Sequence, residues 1–147
     1  MRIAVGSDHA GYEDPPPWYK PAIMEHLKSR GHEVIDCGTN GPESVDYPDF
    51  AGKVCQSILS GEAERGVLMC GTGIGVGIAA NRYKGIRAAT CATPDMARLS
   101  REHNNANVIC LGRRILSLDK CIQLIDIWLD TPFSGGERHT RRVEKMG

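Results

Sequence analysis

Five times along this chain a short run rich in β-branched and apolar residues is followed by a longer segment whose apolar residues recur at helical spacing. That alternation constrains the fold more than any other feature. Each strand-then-helix unit has to cross over to a parallel neighbour, so the pattern predicts an α/β protein with a five-stranded parallel sheet covered on both faces. The strands fall at residues 3–6, 33–36, 66–70, 86–91 and 107–111. The helices fall at 21–30, 49–60, 76–82, from a Thr93-Pro94-Asp95 start to about 102, and after Ser117. A last segment, 137–146, has helical character but is polar, with Val143 its main apolar contact. It is expected to dock on something else. Glu13-Asp14-Pro15-Pro16-Pro17 suits neither a helix nor a central strand and is expected to be a surface loop.

Composition narrows the function. The 147 residues are 41% hydrophobic and carry 18 basic against 18 acidic side chains, so a compact single domain with a real core is expected. Zero net charge argues against a nucleic-acid binder that relies on a broad basic face. No apolar run reaches the roughly 20 residues needed to cross a bilayer. The N-terminus reads as a strand, not as a leader, which predicts a cytoplasmic protein with no membrane partner. Six cysteines occur without a C-x-x-C pair, so they are expected to be free, and most of them buried. Neither the cysteines nor the five histidines form a metal-binding pattern, and no metal is expected.

In open parallel sheets, ligands bind beyond the carboxyl ends of the strands. The most informative of those ends is Cys70-Gly71-Thr72-Gly73-Ile74-Gly75-Val76-Gly77. Glycines at alternate positions let backbone N–H groups close around an anion, although the run is neither a dinucleotide fingerprint nor a P-loop. The same pattern also serves in ordinary tight turns. Cys70, at the mouth of the loop, suits a base or nucleophile, but cysteines 37, 91 and 110 also lie near strand ends. Asp8 and His9 follow the first strand and could move protons or hold hydroxyls, or simply cap a turn. His103, Asn104 and Asn105 follow a helix end, as sugar ligands or as a cap. Arg138 and Arg142 are one helical turn apart and could share a phosphate, with Arg113 as a third donor.

Ser7-Asp8-His9-Ala10-Gly11, Asp46-Tyr47-Pro48, Cys70-Gly71-Thr72-Gly73, Ala79-Ala80-Asn81, Gly85-Ile86-Arg87-Ala88, Arg101-Glu102-His103-Asn104 and Arg138-His139-x-x-Arg142 occur in one order. Together they resemble the ribose-5-phosphate isomerase B and galactose-6-phosphate isomerase family, over nearly the whole chain. The resemblance is to the branch with a cysteine base; another branch has a glutamate at the position of Val76. It implies a Rossmann-like three-layer α/β/α sandwich and a homodimer, or a tetramer built from it, with active sites shared between subunits. The implied reaction is cofactor-free interconversion of ribose 5-phosphate and ribulose 5-phosphate through an enediolate.

Carried over by position, the resemblance makes Cys70 the base and has His103, with Asp8, open the sugar ring. Thr72 and the amides of Gly71, Gly73 and Gly75 would stabilise the enediolate, and Tyr47 and Asn104 would hold hydroxyls. His9, Arg113, Arg138 and Arg142 would grip the phosphate. The chain departs from the family pattern at the Glu13–Tyr19 insertion and at Glu137 before Arg138. The competing readings are an isomerase of galactose 6-phosphate, allose 6-phosphate or a tetrulose phosphate, a non-catalytic sugar-phosphate binder, and a cysteine hydrolase.

Overall fold

The computed structural model describes residues 1–147. In chain order the strands are β1 (Arg2–Ser7), β2 (Glu33–Asp36), β3 (Arg65–Cys70), β4 (Ala88–Thr90) and β5 (Val108–Gly112). The helices are α1 (Tyr19–Ser29), α2 (Tyr47–Leu59), α3 (Ile74–Ala80), α4 (Pro94–Asn104), α5 (Leu118–Asp130) and α6 (Glu137–Met146), with a 3-10 turn at His9–Tyr12. All strand pairs are parallel, in the order β2-β1-β3-β5-β4. The order reverses between β1 and β3, which makes their carboxyl ends the topological switch point.

Alternation along the strands assigns the two faces. Ile3, Val5, Val67, Met69, Ile109 and Leu111 pack with α1, α4 and α5 around Trp128. Ala4, Leu68, Cys70, Val108 and Cys110 face α2 and α3. No helix is long and apolar enough to cross a membrane.

Several ends differ from the sequence expectation. β4 is three residues long, not six, because Arg87 N–H is taken by the Asn107 side chain at 2.8 Å. Asn81 then grips Ala88 from the open side of the sheet, donating to its carbonyl at 2.9 Å and accepting its N–H at 2.8 Å. α4 continues through His103 and Asn104 and closes at Asn105 in the left-handed region, φ 46°. Arg101 in that motif is a buried strut, donating to the carbonyls of Thr131 and Ala106. Buried Lys20 ties α1 to the exit of β2 through Asp36, at 2.5 Å, and Asn40, at 3.0 Å.

α6 buries no residue. Its one ring contact with α4 is His139 stacked on His103, centroids 4.3 Å apart. The polar helix expected to need a docking partner therefore lies loosely on its own chain.

Candidate active site

The strand pairing that sets Ser7 opposite Met69 brings the residues after β1 beside the end of β3. Asp8 N–H donates to the Met69 carbonyl at 3.2 Å, so Asp8 and Cys70 leave the sheet side by side. The Asp8 carboxylate is largely buried and accepts from Ala10 N–H at 2.9 Å, capping the 3-10 turn. His9 Nδ1 accepts from Val45 N–H at 3.2 Å, which draws the segment before α2 across the top of the sheet.

After Cys70 the chain turns sharply. Gly73 has φ 80°, and a β-carbon there would stand 2.9 Å from the Leu111 carbonyl carbon, so only glycine fits. Its N–H donates to the Cys70 sulfur at 3.2 Å. Such a bond strengthens as negative charge collects on sulfur. Ile74 N–H donates to Thr72 Oγ1, also at 3.2 Å. The other loop glycines make room for side chains. A β-carbon at Gly75 would lie 2.7 Å from the Tyr47 ring, and one at Gly71 would lie 3.2 Å from Arg114 Nη1. The glycines expected to bare the backbone also let an aromatic ring and a guanidinium close in on the sulfur.

These residues line an open cleft of about 440 Å³, with Asp8, Cys70 and Thr72 below and Tyr47, Ile74, Ile78 and Arg114 around them. Ile74 and Ile78, one turn apart on α3, are 56% and 62% exposed. A larger groove of about 570 Å³ lies between β2 and α2 and holds none of the expected site residues.

Of the expected site residues, His9, Gly73, Arg113, His103, Asn104, Arg138 and Arg142 do not line the cleft. Arg113 points away from it: its guanidinium sits 4.3 Å from the Tyr19 ring centroid and donates to the Glu13 carbonyl at 3.3 Å. The arginine that reaches the cleft is its neighbour Arg114, at the same strand end, to which no role was assigned from the sequence. No sequence signal separates the two, since both lie in the turn that follows β5, outside the strand's alternation. Arg114 forks onto Glu13, and that fork holds the Glu13 carboxyl below the usual carboxylate range.

His103 and Asn104 lie at the opposite end of the molecule. α4 runs back from the carboxyl end of β4, so its last turn is level with the start of β5. Cys70 pairs with Gly112, four residues further along β5 than Val108, which is about 13 Å at roughly 3.3 Å per residue. Asn104 lines a separate cleft of about 330 Å³ with Asn81, Arg87 and Met146. Arg138 and Arg142, on α6, are exposed and make no salt bridge. One chain thus carries two half-sets of polar groups at opposite ends of its sheet.

The remaining cysteines are free, and burial pushes them up: Cys55 and Cys91 to about 11, Cys121 to about 12, and Cys110 well above its ordinary value. No group of three or more His, Cys, Asp or Glu side chains is arranged to hold a metal ion.

The ribose/galactose isomerase family model matches residues 3–146. The chain belongs to that family. Ribose-5-phosphate isomerase B of Escherichia coli (strain K12) is 45% identical over 145 residues, spanning 99% of this chain and 93% of the relative. The Mycobacterium leprae protein of the same name is 39% identical over 98% of this chain and 86% of the relative. Among solved structures, the Clostridium thermocellum ribose-5-phosphate isomerase B superposes with TM-score 0.94 at 53% identity, covering 100% of this chain and 95% of the other. The Thermotoga maritima enzyme gives 0.92 at 53%, covering 99% and 96%. The Rossmann-like expectation agrees with the parallel sheet and with these neighbours, and the ribose/galactose isomerase fold extends over every element from β1 to α6.

Proposed function

We propose that this protein interconverts ribose 5-phosphate and ribulose 5-phosphate, with Cys70 as the base. The observation that carries the reading is Cys70 on the floor of an open cleft, 5% exposed, with its sulfur accepting from Gly73 N–H and with Thr72, Asp8, Tyr47 and Arg114 lining the same cleft. Aldose–ketose isomerisation needs one base over two adjacent carbons, and donors where charge develops on O1 and O2. In the forward direction the Cys70 thiolate takes the C2 proton of the open-chain aldose, leaving an enediolate. The loop amides between Gly71 and Gly75 and the Thr72 hydroxyl stabilise its oxygens. The thiol then returns the proton to C1 while the hydroxyl proton on O2 passes to O1, and the ketose forms. Tyr47 holds a hydroxyl, while Arg114 takes the anion-binding role first expected of Arg113.

The protein acts as a homodimer in this reading. Ring opening needs a proton donor and acceptor near the ring oxygen, and the phosphate needs more than one arginine. Asp8 is in the cleft, but His103, Asn104, Arg138 and Arg142 of the same chain are at the far end of the sheet. A second copy, docking through the exposed Ile74–Ile78 face and the loosely held α6, supplies them, and His9 of the first copy completes the phosphate grip. The site is then closed only in the assembly, which also removes the exposed apolar pair from water. The same chemistry fits the cytoplasm, where sugar phosphates are retained.

The test is incubation with ribose 5-phosphate in D2O, with the sugar followed by NMR. Ketose formation with solvent deuterium arriving at the exchanging carbon supports the reading. Release of inorganic phosphate would replace it with a hydrolase. Turnover of galactose 6-phosphate or allose 6-phosphate in preference would keep the mechanism and change the substrate. Binding with no turnover of any sugar phosphate would leave a sugar-phosphate-binding protein.

A further inference from the structure

Arg114 enters the cleft with half of its guanidinium already engaged. Its Nε donates to both Glu13 carboxylate oxygens, at 3.1 and 3.3 Å, and its Nη2 donates to Glu13 Oε1 at 2.8 Å. Nη1 has no protein acceptor and is the guanidinium atom closest to the space above Gly71. A planar guanidinium held along one edge has no freedom to turn the other. The remaining amino group therefore points where the chain bares its backbone beside Cys70.

Glu13 is itself anchored. Arg113 Nη2 donates to the Glu13 carbonyl at 3.3 Å while its guanidinium rests on Tyr19. Beyond Glu13, Trp18 Nε1 donates to Asp14 Oδ1 at 3.1 Å across the three prolines, whose φ angles are fixed by their rings. The carboxylate thus hangs from a stretch of chain with few alternative shapes. An exposed ion pair contributes little to stability, so this one is better understood by what it does to the arginine.

We infer that Glu13 is a positioning residue of the cleft: by occupying Nε and Nη2 it aims Nη1 of Arg114 at the anionic end of the substrate. The inference deepens the sugar-phosphate reading above and rests on it. Without the Glu13 charge, the guanidinium is free to swing on its long stem and must be ordered anew by each substrate molecule.

E13Q keeps the size of the side chain and removes its charge. Steady-state kinetics with ribose 5-phosphate, and inhibition by inorganic phosphate, are measured for the wild type, E13Q and E13D. In E13Q we expect KM and the phosphate inhibition constant to rise together by about tenfold, the scale of one charge-assisted hydrogen bond. The kcat should stay within about twofold, because the lost contact serves ground state and transition state alike. E13D, with the charge on a shorter stem, should recover part of the loss. Unchanged KM and inhibition constant would overturn the inference. So would a fall in both, which would make Glu13 a competitor of the phosphate. If the wild type turns over no sugar phosphate, the isomerase reading fails instead. Calorimetry with inorganic phosphate on wild type, E13Q and E13A then still reads whether Glu13 supports anion binding at Arg114.

Discussion

The Tyr47 ring lies against Gly75 so closely that a β-carbon would stand 2.7 Å from it. Residue 75 therefore sets how near the phenol comes to the Cys70 cleft. Gly75→Ala should push the ring outward while leaving the sheet intact. Misplacement of a binding group by about an ångström can cost roughly a hundredfold, and kcat/KM should fall on that scale. Thermal unfolding, recorded alongside, should move only slightly. A variant with normal kinetics would show that Tyr47 does not touch substrate.

Cys70→Ala removes the proposed base and little else, since the sulfur's only hydrogen bond is from Gly73. Turnover should fall by at least about a thousandfold. Binding of ribose 5-phosphate, followed by calorimetry, should change little. Substantial residual activity would move the base elsewhere.

Thiol labelling at pH 8 should separate Cys70 from the other cysteines. Cys55, Cys91 and Cys121 are buried, and with pKa values pushed to about 11, 11 and 12 they lie above the working pH. At that pH about one in a thousand such thiols, or fewer, is ionised, and reactivity should appear only on unfolding or as pH approaches 11. Peptide mapping after iodoacetamide treatment should therefore find Cys37, the one cysteine that is not buried, and Cys70 in its cleft ahead of the other four, and sugar phosphate should slow the modification of residue 70 alone. Early labelling of Cys55 would contradict this packing.

Arg114→Ala and Arg113→Ala should behave differently despite being neighbours. The first should raise KM for phosphorylated substrates by about tenfold or more, through a lost charged contact. The second should act through the loop, since Arg113 grips the Glu13 carbonyl and Tyr19, and should show as a lowered melting temperature. Reversed phenotypes would return the anion-binding role to Arg113.

The proposed sharing of the site between two copies can be tested by mixing inactive variants. Cys70→Ala and His103→Ala homodimers should each be inactive. After subunit exchange, half of the dimers are hybrids with one intact site, so about a quarter of wild-type activity should return. Failure to recover activity after verified exchange would show that one chain builds its site alone.

Much of this architecture was readable in the sequence because local rules and tertiary packing agree there. The limits of β2 and α6, the Thr93 and Ser117 caps and the strand-end position of Cys70 follow from residue type alone. Disagreement arose where a distant side chain intervened. Asn107 takes up the Arg87 N–H that would have lengthened β4. Arg113 and Arg114 both lie in the turn after β5, where neither strand alternation nor helical spacing says which of them faces Cys70. The separation of His103 from Cys70 was hidden for another reason: a motif reports which residues occur along the chain, not where the fold places them.

The two-way grip of Asn81 on Ala88 has a consequence for how these molecules behave in a crowd. The outer margin of a sheet normally offers unanswered donors and acceptors that any stray extended peptide can copy. Here one carboxamide imitates the missing neighbour at the start of the last strand. A stray extended peptide therefore finds Ala88 already answered where it would begin to pair along that border.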